Sequence, residues 1–106
     1  MDKKQNKIIK LLKKFKKEIS KIINVNNFIL FGSRARGEEK EISDIDLLII
    51  SENFKGKKSF ERSPEFYVMW DENYDVDFIC LTPEEFKVKR KQIGIIKNAA
   101  KEGIEI

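Results

Sequence analysis

Histidine is absent from the 106 residues. That excludes a Ser-His-Asp triad, a Cys-His pair and a His-ligated zinc. The single cysteine, Cys80, excludes an internal disulfide and a CxxC site. No apolar run approaches the roughly 20 residues of a membrane-spanning helix. The basic amino terminus lacks the apolar stretch of a signal peptide. There is no internal repeat, low-complexity tract or interdomain linker. Hydrophobic residues make up 41% and charged residues 38% of the chain, a globular balance. The expectation is one cytoplasmic domain over residues 1–106. Any catalysis falls to carboxylates, hydroxyls, Lys and Arg.

Positive charge is concentrated at one end. Residues 1–25 hold nine Lys against Asp2 and Glu18, a net of +7, and the remainder is net −3. Two readings follow: a solvated helix face, or docking to an acidic partner or nucleic acid. No aromatics interleave the lysines, which disfavours single-strand binding.

Residues 2–23 read as an amphipathic helix. Ile8, Leu12, Phe15, Ile19 and Ile22 recur every three or four positions. Lys3, Lys7, Lys10, Lys14, Lys17 and Lys21 take the other side. Asn24, Asn26 and Asn27 end the helix, and Phe28–Phe31 is a short buried strand. A loop runs from Gly32-Ser33 to Ser43. Ile45–Ile50 is apolar on both faces, so it belongs in the middle of a sheet. Residues 51–58 form a loop.

The stretch from Ser59 to Trp70 reads as helix. Pro64 either opens its first turn, with Ser63 as cap, or kinks a longer helix. A turn follows, and Val76–Leu81 is a third strand. Thr82-Pro83-Glu84-Glu85 is a helix start with a capping box. That helix runs to about Gln92, Gly94 interrupts, and a last helix ends at Glu102 with Gly103 as C-cap. The apolar residues of the tail Ile104-Glu105-Ile106 invite docking. The order predicts an α/β (α+β) fold, a small mixed sheet of at least three strands flanked by helices.

The chemistry lies in FILFGSRARGEEKEISDIDLLII, residues 28–50. Asp44 and Asp46 stand at i and i+2, which on a strand puts both carboxylates on one face. Adjacent carboxylates repel, and an oxygen-seeking cation such as Mg²⁺ or Mn²⁺ relieves this. Alone, such a pair is commonly an exposed strand end. Gly32 allows a tight turn and close approach of phosphate, and the Ser33 N–H and hydroxyl can donate to it. Arg34 and Arg36 add positive charge. Alone, Gly-Ser is commonly a simple turn. Together the halves suit a metal–nucleoside triphosphate. A third carboxylate is expected from the next strand. Asp77 lies between Val76 and Phe78, deeper than Asp75, which points to the same face and also reads as a turn residue.

Gly32-Ser33, ten residues, then Asp44-x-Asp46 resembles the signature of the DNA polymerase beta-like nucleotidyltransferases. GSRARG…SDIDLLI is similar to their minimal bacterial and archaeal members, and Val76-Asp77-Phe78 to their third-carboxylate strand. The similarity spans roughly residues 8–100. The resemblance implies the nucleotidyltransferase fold and two Mg²⁺ ions (or Mn²⁺) held by Asp44, Asp46 and Asp77. Asp77 would also help deprotonate the attacking hydroxyl. Gly32 and Ser33 would hold the phosphates of ATP. Arg34 or Arg36 would neutralise leaving pyrophosphate, or else pair with Glu38, Glu39 or Glu41.

Nucleotidyltransferases that act on polynucleotides or antibiotics add acceptor domains, for which this chain has no room. The resemblance therefore implies a protein acceptor. Minimal members pair with HEPN-domain RNase toxins, in some cases adenylylating a toxin tyrosine. The expected function is an antitoxin that moves AMP from ATP to such a partner, with no membrane or nucleic-acid role. The alternative is a binding module that silences its partner by occlusion. Phe66, Tyr67 and Trp70 read as core or partner-interface residues, and Cys80 as a buried small hydrophobe.

Overall fold

The computed structural model describes residues 3–32, 44–92 and 94–106. Helix α1 (Lys3–Ile19) leads into β1 (Asn27–Phe31), and β2 (Ile45–Ile50) follows. A 3₁₀ turn (Glu52–Phe54), α2 (Ser59–Arg62) and α3 (Pro64–Met69) connect to β3 (Val76–Leu81). Then come α4 (Pro83–Lys89), α5 (Ile95–Glu102) and β4 (Ile104–Glu105). The sheet order is β3-β2-β1-β4. β1 runs antiparallel to β2 and β4, and β2 runs parallel to β3. The mixed sheet flanked by helices is the α+β architecture expected, with a fourth strand supplied by the apolar tail.

Side-chain alternation divides the sheet into two faces. Phe28, Leu30, Ile45, Leu47, Ile49, Phe78 and Cys80 meet Ile8, Leu12, Phe15 and Ile19 of α1. Ile29, Phe31, Leu48, Ile50 and Leu81 meet Phe86 of α4 and Ala99 of α5. β2 is fully buried from Leu47 to Ile50 because it carries apolar residues on both faces. Phe15 stacks on Phe78 at 5.6 Å and meets Trp70 edge-on at 5.1 Å, which ties α1 to β3.

Two local expectations are revised. α1 ends at Ile19, and Ile22 is 46% exposed, off the apolar stripe. Past Ile19 the chain turns, and Ile23 and Val25 pack on the core instead. The Ser59–Trp70 helix is two short helices, with Pro64 opening the second, and Phe60 stands exposed. Gly103 caps α5 as expected, with φ −70 in extended backbone. Its role is contact: a Cβ there would collide with the Ala99 carbonyl and Ile29 Cγ2.

The outer edge of β3 is closed by side chains. The Phe78 N–H donates to the Tyr67 hydroxyl at 3.1 Å, and Arg62 Nη1 donates to the Cys80 carbonyl at 3.1 Å. Arg62 is buried and also forks onto Glu85, which completes the Thr82 capping box of α4. Among the described residues no helix is long and apolar enough to cross a membrane.

Candidate active site

The sheet brings three of the expected site residues to one rim. Phe31 at the end of β1 pairs with Asp46 near the start of β2. Asp46 in turn pairs with Asp77 near the start of β3. Strands two registers wide, about 4.8 Å apart per step, therefore carry Gly32, Asp46 and Asp77 along one end of the sheet. By alternation Asp46 and Asp77 share the face of Leu48 and Leu81, the side covered by α4 and α5. Asp44, two residues before Asp46 and just outside β2, is exposed, as are Asp75 and Asp77.

Asp46 is half-buried, and its carboxyl is held above its ordinary pKa. Burial is the main cause, followed by repulsion from Asp77 and then from Asp44. Asp46 thus feels both neighbouring carboxylates. This is a donor set of hard oxygens whose mutual repulsion a divalent cation would relieve, so in charge and ligand type it fits such an ion. Among the described residues no group of three such side chains is drawn together closely enough to enclose a metal.

Gly32 has φ +78, a conformation that favours glycine. A Cβ on Gly32 would collide with Asp46 Oδ2. Glycine therefore serves both the turn out of β1 and the space for the carboxylate. Ser33, Arg34 and Arg36, with Glu38, Glu39 and Glu41, lie outside the described residues.

A cleft of about 200 Å³ opens beside Gly32 and Asp46. Its far wall is α5, with Ile95, Asn98, Ala99 and Glu102. Sequence reasoning missed these residues. Asn98 and Glu102 stand four apart, on one side of a helix, but neither type is diagnostic without the contact that β4 and Gly103 create.

The model of the family described as Nucleotidyltransferase domain matches residues 9–68. The chain belongs to that family. The match includes Gly32, Asp44 and Asp46 and ends before Asp77.

Relatives agree. A chain of Methanocaldococcus jannaschii named "Putative protein adenylyltransferase" is 33% identical over 101 residues, covering 93% of this chain and 98% of its own. A second M. jannaschii chain of the same name is 46% identical over 44 residues, 42% of this chain and 51% of its own. A crystal structure described as a "putative nucleotidyltransferase" from Sulfolobus solfataricus superposes with TM-score 0.70 at 28% identity, over 95% of this chain and 80% of that one. A toxin-antitoxin crystal structure with AMP-PNP superposes with TM-score 0.51 at 21% identity, over 95% of this chain and 70% of that one, a likeness of fold.

Proposed function

We propose that this chain is a metal-dependent protein adenylyltransferase that moves AMP from ATP to a hydroxyl of a partner protein. The observation that carries the reading is the register of Asp46 with Asp77 on parallel neighbours, beside Gly32. Asp44 and Asp46 would hold two divalent ions, Mg²⁺ or Mn²⁺, in common, and Asp77 would hold the one nearer the acceptor. When bound, such ions stabilise the attacking and leaving oxygens of an in-line displacement.

The chain's own groups do the rest. Gly32 and Ser33 hold the terminal phosphates, and Arg34 or Arg36 offsets charge on the leaving group. The acceptor oxygen bonds to the α-phosphorus, and the bridge from the α- to the β-phosphate breaks. Pyrophosphate leaves, and the acceptor proton passes to Asp77.

The name of the M. jannaschii relative, a putative protein adenylyltransferase, supports protein as the acceptor class. The toxin-antitoxin neighbour with AMP-PNP is consistent in fold. On this reading the partner is a HEPN-type RNase toxin, a tyrosine is the acceptor, and modification makes the chain an antitoxin of the cytoplasm. The single domain over residues 1–106 is part of the same proposal.

The test is incubation with labelled ATP and Mg²⁺, with and without the product of the neighbouring gene. Transfer of AMP to that protein, lost in Asp44→Ala/Asp46→Ala, supports catalysis. Neutralisation that survives the double substitution without modification assigns the chain to occlusion instead.

A further inference from the structure

α1 builds its core side from Ile8, Leu12, Phe15 and Ile19. The helical repeat turns Lys13 and Lys17 to solvent and leaves Lys16 half-buried, and Ser20 and Lys21 stand exposed in the turn that follows. These five residues and Ile106 line a groove of about 480 Å³. Lys16 is fixed in its wall, because its ammonium donates to the Ile106 carbonyl at 2.7 Å. Its backbone carbonyl accepts from Ser20 Oγ at 2.6 Å. The helix C-terminus gives a local reason for Lys16 and Lys17, which stand in its last turn. It gives none for Lys13.

Part of the groove's charge has no counter-charge. Among the described residues Lys13 and Lys17 have no ion-pair partner. Lys21 reaches Glu18 at 3.6 Å, with both side chains well exposed, a weak pair. Beside the ammonium groups and the Ser20 hydroxyl, the lysine stems and Ile106 supply apolar lining.

The groove is remote from the acidic rim. Ile106 donates its N–H to the Phe28 carbonyl. Phe28 lies four residues before Gly32, about 14 Å away along an extended strand. Asp46, moreover, lies on the face of the sheet opposite α1.

We propose that this groove docks an acidic amphipathic helix of a partner protein. An apolar side chain of that helix lies against Ile106 and the lysine stems, and its carboxylates face Lys13, Lys17 and Lys21. A nucleic-acid backbone fits less well. It has no apolar side chain for the floor, and the stripe has no aromatic on which a base would stack. Identifying the docked protein with the acceptor rests on the adenylyltransferase reading; the groove itself does not.

The experiment uses the full chain and a labelled synthetic helical peptide roughly five turns long, with Glu on one face and Leu on the other. A scrambled peptide of the same composition and a single-stranded oligouridine are the comparisons. Fluorescence anisotropy reads binding, and ATP binding is measured on the same samples.

The expected result is binding of the amphipathic peptide about tenfold or more tighter than the scramble, weakened by added salt. Lys13→Glu/Lys17→Glu/Lys21→Glu abolishes it without changing ATP binding. The milder triple Gln variant, which keeps the helix uncharged at those positions, weakens it as well. Equal binding of the scramble, tighter binding of the oligouridine, or persistence in both triple variants would overturn the proposal. Self-association abolished by those variants would assign the groove to a second copy and equally overturn it. Loss of ATP binding in the unsubstituted chain, with peptide binding intact, would count against the catalytic reading alone.

Discussion

A methyl group on Gly32 would occupy the space of Asp46 Oδ2. The turn out of β1 and the carboxylate of β2 are therefore one fitted unit. Gly32→Ala is expected to cost about 1–2 kcal/mol from its positive φ alone. It also pushes the Asp46 carboxylate aside. Denaturant unfolding checks the first effect, and ATP binding with Mg²⁺ checks the second. Nucleotide binding unchanged in a folded variant would separate Gly32 from the site.

Asp46 is a source of instability in the resting chain. Its carboxyl pKa is raised by burial and by repulsion from Asp77 and Asp44. The ionised form is thus less favourable in the folded state than in the unfolded one. Asp46→Asn is expected to raise stability at neutral pH by about 0.5–2 kcal/mol while abolishing nucleotide transfer. The sign with pH follows from the raised value. The gain is full above the raised folded-state pKa, shrinks as pH falls from there toward the ordinary carboxylate value, and is gone below it, where Asp46 is protonated in both states. Thermal unfolding of both forms at neutral and acidic pH measures it. Mg²⁺ should stabilise the parent chain more than the variant.

The opposite sign holds for Glu85. Hydrogen bonds from Arg62 and Thr82, with the charge of Arg62, bring its pKa down to about 2. Arg62 is buried, and it also holds the Lys57 and Cys80 carbonyls at 3.0 and 3.1 Å. Stability from Glu85 is present above the ordinary carboxylate pKa and is lost as pH falls from there toward about 2. Glu85→Gln should cost about 1–3 kcal/mol at neutral pH, reduced because Glu85 is partly solvated. It should flatten the loss of stability as pH falls from the ordinary carboxylate value toward about 2. Equal acid sensitivity in both forms would contradict this.

Cys80 is buried on the α1 side of the sheet, and burial pushes its thiol up to about 12. It should not react with a thiol reagent at mildly alkaline pH until the chain unfolds. The labelling rate should therefore track denaturant-induced unfolding.

The fold was legible where residues act locally. Thr82-Pro83-Glu84-Glu85 reads as a capped helix start because both capping hydrogen bonds lie within four residues, and both form. Ile45–Ile50 reads as central because no polar residue interrupts its buried part. Strand alternation reads Asp44 and Asp46 as sharing a face, whereas β2 begins at Ile45 and Asp44 stands exposed just before it. The pairing of Asp46 with Asp77 was legible as an expectation of a third carboxylate, though not as a register. What escaped depends on distant parts of the chain. β4 exists because Ile104 and Glu105 meet Leu30 and Ile29. α5 reaches the rim because Gly103 allows close contact with β1. Neither meeting has a local signature, so Asn98 and Glu102 could not be assigned to the cleft in advance.

The most direct measurement of the central claim is intact-mass analysis of the neighbouring-gene product after incubation with this chain, ATP and Mg²⁺. The account expects one or more AMP groups on a hydroxyl of that protein, release of pyrophosphate, and loss of both in Asp46→Ala. A tight complex with neither modification nor pyrophosphate would contradict it.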